Sequence, residues 1–380
     1  MWKHVTSLLR EISSFNRFFQ KNHAPHRRIT FFSEKDIYYQ TFEPFLTELL
    51  RDPNFTCSYL TRDPKDPILT NHPERVYPFY FNAFIKSIFD HIDATCLVMT
   101  MPDLNTLYVR KNNKTREYVY LFHSFSSTHL QYNERAFDAY DTIFCVGPHH
   151  IQEIQKREQQ FSLPKKRLLS IGYPRIERIE SNYQRYTKKY PGQTTVLIAP
   201  TWSIASLFVN GIDALLEALQ TTPYRVIVRP HPEFLKRCAG SAQSLKAHVQ
   251  AIPNFFWEDT LLSEENLYEA DLLVTDRSGI AFEYAFGTQR PVLFIDTPYK
   301  EHNQNWRALN LEPIELQLRN QLGVAVPLDQ LPQIVPIVEN LLQHASEWKH
   351  TLHHLYIQQV FHPHHAAQEG ANYLLHRFQA

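Results

Sequence analysis

Two short polar motifs in the second half of the chain carry residue types that bind anionic groups. The first is RPHPE, in which Arg229 and His231 follow the apolar run 226–228. A guanidinium can hold phosphate oxygens through two parallel hydrogen bonds, and an imidazole can donate to a third oxygen or protonate a leaving oxygen. Pro230 and Pro232 restrict the backbone around His231, which predicts a fixed loop at a strand end. An ordinary turn with a solvated histidine is the alternative.

The second motif, TDRSGIAFE, lies where a predicted helix begins, over residues 275–283. The N-terminus of a helix presents unpaired N–H groups and the positive end of the helix dipole, which suits a diphosphate. Ser278 can cap the helix or bond a phosphate, and Gly279 permits close approach. Glu283, near the first turn, can accept hydrogen bonds from sugar hydroxyls. Ordinary helix capping is the alternative.

A third candidate lies in the first half of the chain, in LFHSFSSTH at residues 121–129. His123 stands at the end of a predicted strand. It would face the phosphate-binding motifs if two sheets direct their carboxyl ends at each other. Its near-neutral reference pKa suits a general base acting on an acceptor hydroxyl. The chain has 20 histidines, so a core or surface histidine is the alternative.

The elements that position these residues alternate between strand and helix patterns. Apolar runs such as 226–228, 272–274 and 292–295 end at polar residues and are separated by helical patterns. Such runs are typical of parallel strands buried on both faces, and ligands bind beyond the carboxyl ends of those strands. In the first half, residues 76–92 predict a helix.

At 380 residues the chain exceeds one ordinary hydrophobic core, so two domains are expected. A polar stretch at 174–193 ends in Pro-Gly and predicts a linker. The predicted units are an amphipathic helix at 1–25, α/β domains at 26–185 and 186–345, and a helical tail at 346–380. A return of this tail to the first domain is one option.

Composition narrows the function class. Lysine plus arginine and aspartate plus glutamate each number 39, and this balance disfavours nucleic acid as a partner. The four cysteines lack CxxC spacing, and no apolar run is long enough to span a membrane. The sequence also lacks Walker A, GxGxxG and GxSxG motifs. These features predict a cytoplasmic protein.

The N-terminal segment 2–21 predicts a basic amphipathic helix. Two explanations compete: the helix packs on its own domain, or it lies in the headgroup region of an anionic membrane on the inner face of the cell membrane. The histidine-rich tail offers a separate possibility, because His350 and His354 have i, i+4 spacing. No glutamate completes an HExxH pattern, so we predict no metal site.

The ordered set of motifs resembles the CDP-glycerol glycerophosphotransferase family, which includes teichoic acid primases and polymerases and related capsule polymerases. The blocks that carry the resemblance are LFHSF at 121–125, APTW at 199–202, RPHPE at 229–233, TDRSGIAFEYA at 275–285, RPVLFID at 290–296 and QEGA at 368–371. The likeness implies a GT-B fold, in which two Rossmann-like parallel-sheet domains face each other across a cleft. It also implies peripheral attachment to the inner membrane face.

The resemblance implies transfer of glycerol phosphate, or another polyol phosphate, from a CDP-activated donor to an acceptor hydroxyl. The acceptor would be lipid-linked or a polysaccharide, CMP would be released, and no cofactor would be needed. Carried over by position, His123 is the base and His231 contacts the diphosphate. The residues implied to bind or shape the donor are Thr201, Arg229, Asp276, Arg277, Ser278, Gly279 and Glu283.

This chain departs from the family pattern at three places. Ser124 and Phe125 follow the first histidine where the family has glycine, an arginine stands at 277 for an aromatic, and Gly279 replaces a second serine. Two alternatives therefore stay open. One is a GT-B nucleotide-sugar glycosyltransferase or epimerase, and the other is a GT-B protein that binds a nucleotide or partner without turnover.

Overall fold

The structure, a computed structural model, describes residues 2–106, 109–258, 260, 263–298 and 301–378, without the side chains of 2–7 and 10. Within these residues, strands form two parallel sheets, one in each half of the chain. This two-domain α/β architecture agrees with the prediction from the alternating pattern.

The first sheet has seven strands among the described residues, in the order β3-β2-β1-β4-β5-β6-β7. Its strands are β1 (Ile29–Ser33), β2 (Cys57–Thr61), β3 (Val76–Tyr80), β4 (Cys96–Met99), β5 (Glu117–Leu121), β6 (Thr142–Cys145) and β7 (Arg167–Ser170). Every residue of β1, β2, β4, β5 and β6 is buried, as expected where helices cover both faces.

The second sheet has six strands in the described part of the chain, in the order β10-β9-β8-β11-β12-β13. Its strands are β8 (Thr195–Ile198), β9 (Arg225–Val228), β10 (Phe255–Trp257), β11 (Leu272–Thr275), β12 (Val292–Asp296) and β13 (Gly323–Pro327). The strand order reverses between β8 and β11, and ligands bind beside such a reversal in doubly wound folds.

The α-helices of both domains and the tail follow one another along the chain. They are α1 (Trp2–Phe18), α2 (Tyr39–Leu49), α3 (Ile85–His91), α4 (Pro148–Gln160), α5 (Pro174–Arg185), α6 (Leu207–Asn210), α7 (Ile212–Leu219), α8 (Pro232–Arg237), α9 (Ala239–Ala251), α10 (Glu265–Glu269), α11 (Ile280–Thr288), α12 (Ile314–Gln317), α13 (Arg319–Leu322), α14 (Val335–Gln343), α15 (Ala345–Gln359) and α16 (Ala366–Phe378). Short 3-10 helices lie at Lys21–Arg27, Asp36–Tyr38, Pro67–Leu69, Trp306–Leu309 and Leu328–Gln333.

Two local predictions were wrong. The helix expected over 76–92 is the strand β3 followed by the shorter α3. Aromatic residues and Val76 favour a strand, and Pro78 is tolerated because β3 lies at the sheet edge. Most of the linker expected at 174–193 is α5, which starts at Pro174 and buries Ile176 and Ile179.

Helix α1 packs only part of its surface on the first domain. Phe18 is fully buried, and the carboxylate of Glu11 accepts hydrogen bonds from the backbone N–H groups of Asn82 and Phe84. Leu8 and Leu9 are 45% and 61% exposed. None of the described helices is long and apolar enough to cross a bilayer.

The C-terminal tail lies against both domains. Helix α15 contacts α11 of the second domain, and α16 packs on α2 of the first domain. Between these helices, the N–H of Phe361 donates to the carbonyl oxygen of Val146, and the N–H of Ala366 donates to Glu177. The tail therefore ties the two domains together.

The contact between α5 and α11 joins the two domains closely. A Cβ atom added at Gly287 of α11 would lie 2.4 Å from Cγ2 of Ile179 in α5, which is closer than any side-chain contact allows. Only glycine permits this approach.

We expect Gly287→Ala to destabilise the protein by about 1–3 kcal/mol, because overpacking must push α5 and α11 apart. Gly240→Ala in α9 is the matched control. A Cβ atom there meets nothing within 4 Å, and alanine in a helix gains about 0.5–1 kcal/mol over glycine. Denaturant unfolding of the full chain measures both changes. A Gly287→Ala midpoint at or above wild type would contradict the close approach.

Candidate active site

The carboxyl ends of both sheets meet at one cavity between the domains, which we name the central cavity and which has a volume of about 270 Å³. The first-domain contributors, among them His123, follow β5, and the second-domain contributors follow β8, β9, β11 and β12. Of the residues singled out from the sequence, those in its wall are His123, Thr201, His231, Arg277, Ser278 and Gly279. The tertiary structure thus brings the two motif groups, from opposite halves of the chain, to one place.

His123 lies where three cavities meet. Besides the central cavity, it lines a side cavity of about 260 Å³ and a first-domain cavity of about 310 Å³. Its ring lies 4.8 Å from the ring of Tyr38, and its carbonyl oxygen lies 2.9 Å from the hydroxyl of Tyr173. Burial lowers the pKa of His123 to about 4, and a hydrogen bond with the Thr100 backbone opposes part of this shift. The imidazole is therefore neutral at pH 7, as a general base requires.

His231 forms the N-cap of α8. Its Nδ1 accepts a hydrogen bond from the N–H of Glu233 at 3.1 Å. A neutral ring that accepts at Nδ1 carries its proton on Nε2. The capping bond therefore places the proton of a neutral ring on Nε2, and His231 is part of the wall of the central cavity.

Asp276 is buried and braces the loop that follows β8. Its two carboxylate oxygens accept hydrogen bonds from the N–H groups of Thr201 at 2.8 Å and Leu207 at 2.9 Å. Burial raises its pKa, and the N–H donors oppose that rise. The carbonyl oxygen of Asp276 accepts from Arg319, which also pairs with Asp296 at the end of β12. Asp276 therefore shapes the wall of the central cavity from behind.

Glu283 reaches the first domain. Its Oε2 pairs with Nε of Arg175 at 2.8 Å, and its Oε1 lies 3.1 Å from the hydroxyl of Tyr173. The same hydroxyl contacts the backbone of His123, so Glu283 is one hydrogen-bonded residue away from the candidate base. Glu283 lines the side cavity, whereas Arg229 and Asp276 lie outside the walls of the three cavities.

Comparison with known proteins identifies the family. The family model described as CDP-glycerol:poly(glycerophosphate) glycerophosphotransferase matches residues 17–315. The chain belongs to this family. It is accordingly a phosphotransferase enzyme, as the sequence predicted. A comparison with curated proteins found no significant match.

Solved structures similar to this chain confirm the predicted GT-B fold. The wall teichoic acid polymerase TagF is 16% identical over 100% of this chain and 98% of that chain, with a TM-score of 0.60. WaaG, a glycosyltransferase involved in lipopolysaccharide biosynthesis, is 13% identical over 90% and 98%, with a TM-score of 0.52. The UDP-GlcNAc 2-epimerase from Neisseria meningitidis bound to UDP-GlcNAc is 10% identical over 92% and 99%, with a TM-score of 0.60.

Several residues of the candidate site were not predicted from the sequence. The wall of the central cavity also contains Ser124, Ser126, Gln131, Tyr132 and His302. Ser124 and Ser126 could have been predicted from their position beside His123. The loop after a parallel strand commonly contributes more than one residue to a site. Tyr132 and His302 follow no motif, and only the fold brings them to the cavity.

Gly279 faces the first domain at short range. A Cβ atom placed there would lie 3.1 Å from Oγ of Ser126 and 3.5 Å from Oγ of Ser124. The two serine hydroxyls are hydrogen-bonded to each other at 2.8 Å. The departures from the family pattern at 124 and 279 therefore face each other, and first-domain hydroxyls lie where a side chain at 279 would point.

A buried layer beneath the 123–129 loop holds its backbone in place. At the start of α4, Nε2 of His149 donates to the carbonyl oxygen of Phe125, and Nε2 of His150 donates to that of Ser126. Burial lowers the pKa of His150 to about 4, so this ring is neutral at pH 7. Oε2 of Glu153 accepts from the N–H of Thr128 at 2.6 Å. These contacts fix the loop that presents the candidate base.

Proposed function

We propose that this enzyme transfers glycerol phosphate, or another polyol phosphate, from a CDP-activated donor to an acceptor hydroxyl in the synthesis of a teichoic acid or capsule-like polymer. The observation that carries the proposal is the central cavity, whose wall combines the neutral imidazole of His123 with His231, Ser278 and Gly279 at the start of α11. A base thus lies opposite an anion-binding site.

In the proposed reaction, His123 accepts the proton of the acceptor hydroxyl. The acceptor oxygen then forms a bond to the β-phosphorus of the donor, and the bond from that phosphorus to the bridging oxygen breaks. CMP leaves with the electron pair. Nε2–H of His231 and the N-terminus of α11 stabilise the charge that develops on the phosphate oxygens, and Arg277 in the cavity wall adds positive charge. No cofactor is part of the proposal.

Arg229 and Thr201 act less directly in this scheme. Burial lowers the pKa of Arg229, which follows β9 and lies outside the walls of the three cavities. The N–H of Thr201 bonds Asp276, so the loop edge at Thr201 is held against β11. In this scheme, Thr201 helps to hold the loop of the donor site in place, and Arg229 adds positive electrostatic potential there.

The test is nucleotide release from a panel of donors. The purified full chain is incubated with CDP-glycerol, CDP-ribitol, UDP-sugars and CMP-sugars, each with and without a hydroxyl-bearing acceptor. Release of CMP from a CDP-polyol alone supports the proposal. Release of UDP, or of CMP from a CMP-sugar, would favour a nucleotide-sugar glycosyltransferase or epimerase. Donor binding without any release would favour a non-catalytic protein.

We also propose that α1 contacts an anionic membrane surface. Leu8, Leu9 and Ile12 are 45%, 61% and 41% exposed on a helix whose other side packs on the first domain through Phe18 and Glu11. An amphipathic helix of this kind binds membranes through its exposed apolar area and its basic residues. The proposed location is therefore cytoplasmic and peripheral, on the inner face of the cell membrane.

Replacing Leu8, Leu9 and Ile12 together by serine is expected to weaken binding to anionic liposomes at least tenfold, because each buried leucine contributes about 1.5–3 kcal/mol. Co-sedimentation with phosphatidylglycerol vesicles measures it. Ile357→Ser is the matched control, since Ile357 is 49% exposed on α15. Deleting residues 2–21 is expected to abolish the binding. Unchanged sedimentation of the triple variant would remove the membrane proposal.

A further inference from the structure

The first-domain cavity is lined, among the described residues, by His123 and other residues of the first domain. It has a volume of about 310 Å³, and its wall includes Glu34, Lys35, Tyr38, Asp103, His123 and Tyr132. None of the anion-binding residues that follow β9 and β11 is part of this wall. His123 and Tyr132 are shared with the central cavity, so the two spaces meet at the candidate base.

Two carboxylates set the charge of this wall. Burial raises the pKa of both Glu34 and Asp103, and the charge of Asp103 adds to the rise at Glu34. Oδ2 of Asp103 accepts a hydrogen bond from Asn133 at 2.9 Å. A carboxylate has about four acceptor sites, so capacity for ligand hydroxyls remains on Asp103.

The positively charged side chains near these two carboxylates also contact other residues. Nζ of Lys35, the one ammonium in the described wall, lies 3.8 Å from Glu233 of the second domain. Arg62 opposes the pKa rise of Glu34 but does not line the cavity, and it donates to Asn82. The wall of the first-domain cavity therefore presents the carboxylates of Glu34 and Asp103, which accept hydrogen bonds, beside the rings of Tyr38 and Tyr132.

The two sides of His123 thus differ in chemistry. The central cavity combines Arg277, His231 and a helix N-terminus, which suit phosphate. The first-domain cavity offers carboxylates and tyrosine rings, which suit hydroxyl groups and the apolar faces of a sugar or polyol. A phosphodiester placed beside Glu34 and Asp103 would be repelled.

We propose that the first-domain cavity binds the acceptor and selects an uncharged, hydroxyl-rich end, a sugar or a polyol, against a polyol phosphate chain. This inference rests on the proposed function, since it assigns the second substrate of the same site. A consequence follows for the product. Once one polyol phosphate has been added, the new end carries a phosphodiester, so the same end is a poor substrate for a second addition.

A matched pair of acceptors isolates the effect of charge. Triglycerol joins three glycerol units by ether bonds, and the glycerol phosphate trimer joins them by phosphodiesters. With CDP-glycerol as donor at low ionic strength, we expect kcat/KM for triglycerol to exceed that for the phosphate trimer at least tenfold. Mass spectrometry is expected to show single addition. A wild-type enzyme that prefers the phosphate trimer, or extends products repeatedly, would overturn the inference.

The variant Glu34→Gln with Asp103→Asn removes both negative charges at nearly constant size. Asp103 has φ of 65°, a backbone region that asparagine also tolerates, so the substitution suits the local fold. We expect the preference to fall to about threefold or less through the acceptor KM, with the KM for CDP-glycerol changed less than twofold. Glu43→Gln, an exposed change on α2 outside the cavity, is the control. Equal losses on both acceptors would contradict the assignment.

The proposed function and this inference fail differently. If no CDP-polyol yields CMP, the proposed function is wrong. Calorimetry still decides the acceptor preference in that case, because it measures the binding of triglycerol and of the phosphate trimer to the donor-free protein. If CMP is released but the phosphate trimer binds or reacts better than triglycerol, only the acceptor inference fails. Tighter binding of triglycerol that the double variant loses supports it in either case.

Discussion

His123→Ala is expected to lower kcat about 10²–10⁴-fold while the Kd for CDP-glycerol changes less than twofold. A positioned general base contributes a factor of this size. His123 comes from the first domain, whereas the groups proposed to hold the donor come from the second. Single-turnover kinetics and calorimetry separate the two quantities.

The pH dependence of kcat/KM gives a second test of the role of His123. Because burial lowers its pKa to about 4, the imidazole stays unprotonated as the pH falls through the ordinary histidine range. The acid limb of kcat/KM is therefore expected near pH 4, in place of a limb near 6.5. His350→Ala, an exposed change in the tail, is the control. Lost donor affinity in His123→Ala would contradict the placement of His123 as base.

The second large effect is expected at His231, where His231→Ala should weaken CDP-glycerol binding about 10–100-fold. Removing a hydrogen bond to a charged group costs about 1.5–3 kcal/mol. Alanine also removes the N-cap of α8, in which Nδ1 accepts from the N–H of Glu233. Stability is therefore expected to fall by about 1 kcal/mol as well.

His231→Asn separates the two roles of this residue. The asparagine side-chain oxygen can accept from the N–H of Glu233, so the cap and the stability should be retained. The Nε2–H donor is lost, so donor affinity should fall as it does in the alanine variant. Thermal unfolding and calorimetry of both variants check this. Wild-type affinity in His231→Asn would show that the ring acts only as a helix cap.

The structure also explains why two departures from the family pattern can occur together. Ser124 and Ser126 place hydroxyls within 3.5 Å of the position that a Cβ atom of Gly279 would occupy. A side chain larger than glycine at 279 would press against those hydroxyls. The loop that carries Ser124 and Ser126 and the loop that carries Gly279 are therefore matched in size across the domain interface.

The two parallel sheets, and the motifs at the carboxyl ends of their strands, could be predicted from local sequence patterns. Buried parallel strands require continuous apolar runs, and both 226–228 and 272–274 lie in strands of the second sheet. In a doubly wound fold, ligands bind beyond the carboxyl ends of the strands, which is where the polar residues after each strand lie. The local pattern therefore predicts that the motifs around His231 and Ser278 lie at the same edge of the second sheet.

Which side chains line the central cavity could not be predicted from local pattern, because it depends on tertiary contacts. Asp276 and Glu283 belong to the same motif as Ser278. One is turned onto the loop at Thr201, and the other is paired with Arg175 of the first domain. The edge position of β3, the close approach at Gly287 and the cavity beside Glu34 arise from contacts between segments distant in sequence. Local pattern records the periodicity of an element, and the orientation of a polar side chain depends on what packs against it.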